Sequence, residues 1–189
     1  YKKNMAEKYD HLTEQHQRFI DAQKIFFVGT AAAKGNINVS PKGLESLKIV
    51  NKNKVLWVNL TGSGNETAAH TQENPRMTLM FTSFEKNPLI LRVYGTARAI
   101  HRLDPEWETV INHFPKSPGS RQVFDLSVSL VQTSCGYAVP YYDFKGERST
   151  LEKWNDAAGE DGIKKYWEEK NTQSLDGIET GIVKKNIRK

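Results

Sequence analysis

Two hydrophobic periods divide the chain. Tyr9, Leu12, His16, Phe19 and Ile20 recur at three- and four-residue steps. That is the stripe of an amphipathic helix, and it predicts an N-terminal helix ending near Lys24. The period then drops towards two. Ile25–Ala32 is apolar and partly β-branched, Lys34-Gly35-Asn36 offers a turn, and Ile37–Ser40 alternates, which together predict a hairpin. Val55–Leu60 and Arg76–Ser83 predict two more strands, the second with Met77, Leu79 and Phe81 on one face. The clearest alternation runs from Leu89 to Ile100. Leu89, Leu91, Val93, Gly95, Ala97 and Ala99 share one face, and Arg92, Tyr94, Thr96 and Arg98 the other, as in a half-buried antiparallel strand. Gly95 marks a bulge or a close backbone approach. Asp104-Pro105-Glu106 predicts the cap and first turn of a short helix to about Phe114. Phe124, Leu126, Val128 and Leu130 alternate again as a last long strand, and from Glu147 on the chain reads as helical or irregular, with Trp154 and Trp167 as anchors.

Roughly six antiparallel strands with few helices predict a mainly β fold, a small closed barrel with flanking helices. The expected organisation is one domain: residues 1–24 an N-terminal helix packed on it, 25–145 the barrel, and 146–189 a helical or irregular extension. A chain of 189 residues buries a sizeable core without staples.

Composition narrows the classes. Hydrophobic residues are 38% and charged residues 26%, ordinary for a globular protein and too apolar for a disordered one. Much of the +5 net charge sits at the ends, at Lys2, Lys3, Lys8, Lys184, Lys185, Arg188 and Lys189. These read as solvated tails, and no basic face interleaved with aromatics points to nucleic acid. The single cysteine, Cys135, excludes an internal disulfide and reads as a small buried hydrophobe. Tyr1–Asp10 lacks the apolar core of a signal peptide, and no apolar run approaches membrane-spanning length, so the expected location is cytoplasmic, with no membrane partner. His11, His16, His70, His101 and His113 show no zinc-type spacing with Cys135, so no metal is expected.

The most informative segment is Asn59-Leu60-Thr61-Gly62-Ser63-Gly64-Asn65-Glu66-Thr67-Ala68-Ala69-His70. It reads as a strand end, a Gly-rich turn and a helix N-terminus, where free backbone N–H groups attract anions. Ser63 and Glu66 have capping-box spacing, and Pro75 stops the helix after Asn74. Asn65 and Thr67 add side-chain donors, and Ser40-Pro41-Lys42-Gly43 places Lys42 in a turn that can reach the same anion. Without a ligand the segment reads as a well-capped structural helix. His70 lies one turn after Glu66 on the same helix face, as a surface or N-terminal-helix pair or as a proton donor near the site. Tyr141-Tyr142 reads as core or interface packing, or as a ring-stacking pair.

These segments, in this order, resemble the pyridoxamine-5′-phosphate-oxidase-like flavoproteins with a split β-barrel. The resemblance runs from about Phe19 to Trp154. It is carried by Asn36–Val39, Ser-Pro-Lys-Gly at 40–43, Leu-Thr-Gly-Ser-Gly-Asn-Glu-Thr-Ala-Ala-His at 60–70, Leu-Arg-Val-Tyr-Gly at 91–95, Thr-Ser-Cys-Gly-Tyr-Ala-Val-Pro at 133–140 and Gly-Glu-Arg at 146–148. It implies a homodimer holding flavin mononucleotide (FMN) at the subunit interface. Lys42, Asn65 and Thr67 would then contact the phosphate, and Ser40 and Thr61 would lie close to the flavin. Arg92 would reach the cofactor or the partner subunit, and Ser134, Cys135, Arg148 and Trp154 the ring side of the site, from the same or the second chain. The chain departs from the vitamin-B6 oxidases in two places. Asn65-Glu66-Thr67 stands where they carry serine-arginine-lysine, and Arg148-Ser149-Thr150 lacks their C-terminal histidine. The resemblance therefore implies an FMN-dependent oxidoreductase acting on an unidentified small molecule. The alternatives are a flavin-binding or sensing protein without turnover, or a binder of a deazaflavin or haem-type ligand.

Overall fold

The computed structural model describes residues 6–187; Lys2, Lys3, Arg188 and Lys189 of the basic ends lie outside them. Among the described residues there are eight strands: β1 (Lys8–Tyr9), β2 (Phe26–Thr30), β3 (Asn38–Lys42), β4 (Leu47–Asn51), β5 (Lys54–Leu60), β6 (Arg76–Thr82), β7 (Leu89–His101) and β8 (Ser120–Cys135). The five helices are α1 (Glu14–Ala22), α2 (Glu66–Glu73), α3 (Trp107–Ile111), α4 (Thr150–Lys170) and α5 (Ile182–Asn186). One antiparallel sheet runs in the order β3-β2-β6-β7-β8-β5-β4, with β1 added on β8.

The sheet is open. β3 and β4 are its two edges and do not pair with each other, which overturns the closed split β-barrel expected from the sequence; the mainly β character with flanking helices stands. The edges are consecutive strands, yet β3 pairs only with β2 and β4 only with β5. Between them Leu44 and Glu45 both take left-handed backbone (φ 58° and 54°), which swings the chain from one edge to the other. Pro41 in β3 has no N–H to offer a further ladder. Alternation reports which face of a strand is buried; it carries no information on whether the first and last strands meet.

Local signals explain most elements. In α1, Thr13 caps reciprocally with His16: the Thr13 hydroxyl accepts from the His16 N–H, and the Thr13 N–H donates to His16 Nδ1, both at 3.2 Å. Gly95 sits at a register shift, and a Cβ there would meet the Ser127 carbonyl oxygen at 2.0 Å, the close approach expected of it. The helix expected from Asp104 is shorter. Its cap is Glu106, because the Asp104 carboxylate accepts instead from the His101 N–H at 2.8 Å. The two-residue β1 and the edge strand β4 escaped the sequence reading.

The main core lies on one face of the sheet, where Trp57 stacks on Phe124 (centroids 4.5 Å apart, 16° between planes) and α1 contributes Ile20. On the opposite face, α3 covers a second cluster of Leu56, Val58, Ile100, Trp107, Phe114 and Val123. β7 is therefore buried on both faces at its end, with Ile100 in the core. Ile163, Trp167 and Ile182 join α4 to α5. No helix among the described residues is long and apolar enough to cross a membrane.

The C-terminal segment is tied back to the sheet at several points. Asp176 accepts from the Asn36 N–H (2.7 Å) and Nδ2 (2.6 Å) at the β2–β3 turn. The Glu179 carbonyl accepts from Gln72 of α2 at 2.7 Å, and Asn186 Nδ2 donates to the Arg121 carbonyl at 2.8 Å.

Candidate functional site

Where β5 ends, Thr61 is held twice by Gly119. Its N–H and its hydroxyl both donate to the Gly119 carbonyl at 2.8 Å. The chain then turns through Gly62-Ser63-Gly64 into α2. The cap of α2 is Asn65 rather than Ser63, and it makes no side-chain capping bond. The expected Ser63–Glu66 capping box is absent because the Glu66 carboxylate folds back beside Gly64, where a Cβ would meet Glu66 Oε2 at 2.2 Å. Asn65 is buried, with its Oδ1 accepting from Asn59 Nδ2 at 3.3 Å. Among the described residues, none of the six consecutive N–H groups from Gly62 to Thr67 donates to a protein acceptor. Such a row of free N–H groups at a helix N-terminus attracts an anion.

This turn walls a cavity of about 510 Å³ shared with Asn38, Ser40, Lys42, Ser46, Asn59, Thr67 and Arg121. Two cations face it, and neither forms an ion pair among the described residues. The Lys42 ammonium lies over the Trp57 ring, 5.4 Å from its centroid. Burial, reinforced by the Arg121 charge and opposed by Glu66, pushes it down to about 8. Arg121 is 3% exposed. It donates to Asn171 Oδ1 (2.7 Å) and to the Gly64 (2.5 Å) and Gly62 (3.3 Å) carbonyls. Burial lowers it to about 10, so it stays charged at neutral pH. The Ser40 and Ser46 hydroxyls and Arg121 Nε are buried without a partner among the described residues. Buried polar atoms left open this way point to a ligand or ordered water.

A second cavity of about 860 Å³ continues from the first, sharing Pro41, Lys42, Leu44, Thr61, Gly62 and Leu151. Its walls are aromatic. Trp154 meets Tyr166 edge-on (5.1 Å), Tyr142 meets Phe84 edge-on (5.3 Å), and Lys24 lies 5.8 Å from the Phe144 ring centroid. The cleft thus has a polar end that offers N–H groups and positive charge, and an apolar end suited to a flat ring.

Of the residues singled out in the sequence, Ser40, Lys42, Thr61, Asn65 and Thr67 meet at the polar end, and Arg148 and Trp154 at the aromatic end. Arg92, Ser134 and Cys135 do not join them. Arg92 donates to Ser134 Oγ at 3.0 Å across β7 and β8, and none of the three lines the cleft. Cys135 is exposed, not the buried hydrophobe expected, because it ends β8 beyond the core. His70 is 1% exposed, with Nδ1 3.2 Å from Thr30 Oγ1. It lines neither cavity, and its burial rules out the surface pair with Glu66. Tyr141 and Tyr142 are exposed rather than packed in the core. The sequence reading missed Arg121 and Ser46. A strand signal beginning at Phe124 left Arg121 outside it, and a lone serine after a turn carries no local signal.

A model of the pyridoxamine 5′-phosphate oxidase family matches residues 12–135. The pyridoxamine 5′-phosphate oxidase family protein ustO of Aspergillus flavus is 38% identical over 149 residues, which is 76% of this chain and 60% of that relative. The chain thus matches less than two thirds of the length of ustO. Among solved structures, a pyridoxamine 5′-phosphate oxidase candidate from Lactobacillus delbrueckii superposes with a TM-score of 0.54 at 21% identity, over 65% of this chain and 94% of that one. HupZ of Group A Streptococcus gives 0.50 at 20% identity, over 63% and 91%. At these identities the two structures speak for the fold alone.

Proposed function

Because the chain belongs to the pyridoxamine 5′-phosphate oxidase family, we propose that its cleft holds FMN and that the protein is a flavin-dependent oxidoreductase acting on a small molecule. The observation that carries this reading is the polar end. Among the described residues, six N–H groups without acceptors lie beside Lys42 and Arg121, two cations without an ion-pair partner, in a cavity with unpartnered buried hydroxyls. A phosphate is the ligand chemistry that such a set accepts.

The residues present fit the group. The Ser63–Thr67 backbone, Lys42, Ser40 and Ser46 would hold the phosphate; Thr61, Trp154 and Arg148 would flank the rest of the molecule. When bound, the flavin supplies the redox chemistry, and the protein supplies binding, orientation and electrostatics. At the polar end Lys42 and Arg121 outweigh Glu66 by one charge, so a dianionic phosphate is attracted. The aromatic side chains line the other end.

The second reading is a flavin carrier or sensor without turnover. Steady NAD(P)H-dependent turnover by the FMN-loaded protein would decide for the enzyme. Appreciable vitamin-B6 oxidase activity is not expected, since Glu66 puts a negative charge beside the phosphate end and no histidine follows Arg148.

We further propose a homodimer in which Arg92, Ser134 and Cys135, grouped away from this cleft, face the partner's flavin. Light scattering showing only monomer at micromolar concentration would refute this. The test of FMN binding is the absorption spectrum of the purified protein, followed by titration with FMN and riboflavin. FMN is expected to bind at least about ten-fold more tightly; equal affinities would overturn the phosphate assignment, and a deazaflavin or haem spectrum would replace the cofactor.

A further inference from the structure

We propose that Asn171, in the C-terminal segment beyond the family match, is a positioning residue that turns the N–H groups of Ser63, Gly64 and Asn65 towards the ligand. The inference rests on the cleft being a phosphate site, as read above.

Asn171 is 0% exposed and does not line the cleft. It ends α4, its own N–H donating to the Trp167 carbonyl at 3.0 Å. Its Nδ2 donates to the Gly62 carbonyl at 2.9 Å and the Ser63 carbonyl at 3.2 Å. Its Oδ1 accepts from Arg121, whose other terminal nitrogen donates to the Gly64 carbonyl. Asn171 and its guanidinium partner therefore hold three successive carbonyls on one side of the turn.

A trans peptide is planar, with C=O and N–H pointing in opposite directions. Holding the carbonyls of residues 62, 63 and 64 towards Asn171 and Arg121 therefore sends the N–H groups of residues 63, 64 and 65 the opposite way. These are groups that find no acceptor among the described residues. Successive N–H groups turned to one side form an anion-binding concavity. The unpartnered Ser46 hydroxyl, on a residue 3% exposed, lines the same cavity and is a second sign of a missing ligand.

The clamp is itself held in place. The Asn171 carbonyl accepts from Thr180 Oγ1 at 2.5 Å and Asn65 Nδ2 at 3.5 Å. One turn earlier, Trp167 Nε1 donates to Thr61 Oγ1 at 2.9 Å. The last turn of α4 thus grips the Gly-rich turn from behind, and the anion end depends on residues outside 12–135.

The test compares Asn171→Leu with Asn171→Ser in the full chain. Leucine keeps the volume, adds no charge and leaves no room for a water to replace the lost donors; serine keeps one donor. Asn171→Leu should weaken FMN binding about ten-fold while riboflavin binding stays within about two-fold, and Asn171→Ser should recover most of the loss. Equal losses for the two ligands, or no loss for either, would overturn the assignment. If Asn171→Leu does not fold, Asn171→Ala, which removes the same side-chain donors without adding bulk, is read for the same ratio. In the wild type, inorganic phosphate should shift the backbone amide resonances of Ser63, Gly64 and Asn65, and unmoved resonances would overturn the proposal whatever the variants do. A wild type that binds neither flavin would instead refute the reading of the cleft.

Discussion

The two ends of the cleft are built by opposite means. At the polar end Thr61, Asn65, Arg121 and Asn171 are all buried, and each makes at least two hydrogen bonds that fix its place. The aromatic end includes Tyr142 and Phe144 from residues 141–148, a stretch without regular secondary structure, and the two are 67% and 56% exposed. The first is a rigid receptor whose geometry is set before any ligand arrives, which lowers the ordering cost of binding. The second is a wall of large apolar side chains with few neighbours, able to adapt to what it covers. Phosphate recognition is thus expected to be tightly coupled to folding, and ring recognition only weakly so.

The sharpest way to break this contrast is Arg121→Ala. It strips the Gly62 and Gly64 carbonyls and Asn171 Oδ1 of a donor inside the protein. Urea unfolding should show a loss of about 3 kcal/mol, with FMN binding abolished; unchanged stability would mean that the polar end is not the rigid part. Next in size, Lys42→Ala should weaken FMN about ten- to a hundred-fold and leave riboflavin nearly untouched. Fluorescence titration of both ligands measures this, and equal effects would remove Lys42 from the phosphate end.

The same lysine makes binding depend on pH. Its folded-state pKa of about 8 lies below the ordinary 10.5, so it carries its charge below pH 8 and loses it above. FMN affinity should therefore fall about ten-fold between pH 7 and pH 9, riboflavin affinity should stay flat, and Lys42→Ala should flatten the FMN profile. For stability the sign is opposite. Between pH 8 and 10.5 the unfolded chain binds more protons at this group, so its contribution grows with pH across that window.

The smallest effect is expected at the aromatic end. Trp154→Ala should weaken FMN and riboflavin alike, about three-fold, and change the urea midpoint little because Trp154 is partly exposed. A loss confined to FMN, or a large drop in stability, would erase the distinction between the two ends.

Residue pattern alone determined which face of most strands is buried, the tight approach at Gly95, and the strand–turn–helix run from Asn59 to His70 with Lys42 within reach. Each of these rests on neighbours a few positions apart, where backbone period and small-residue geometry act directly. Barrel closure was not legible, because it depends on whether β3 and β4, at opposite ends of the ladder, meet. Nor were Arg121 and Asn171 as supports of the Gly-rich turn, or the burial of His70. Arg121 reaches back 59 positions to Gly62, Asn171 reaches back 109, and His70 pairs with Thr30 40 positions away. Only tertiary structure decided those, because a hydrogen bond between distant residues is set by where the whole sheet and the C-terminal helix place them, and a local pattern carries no trace of it.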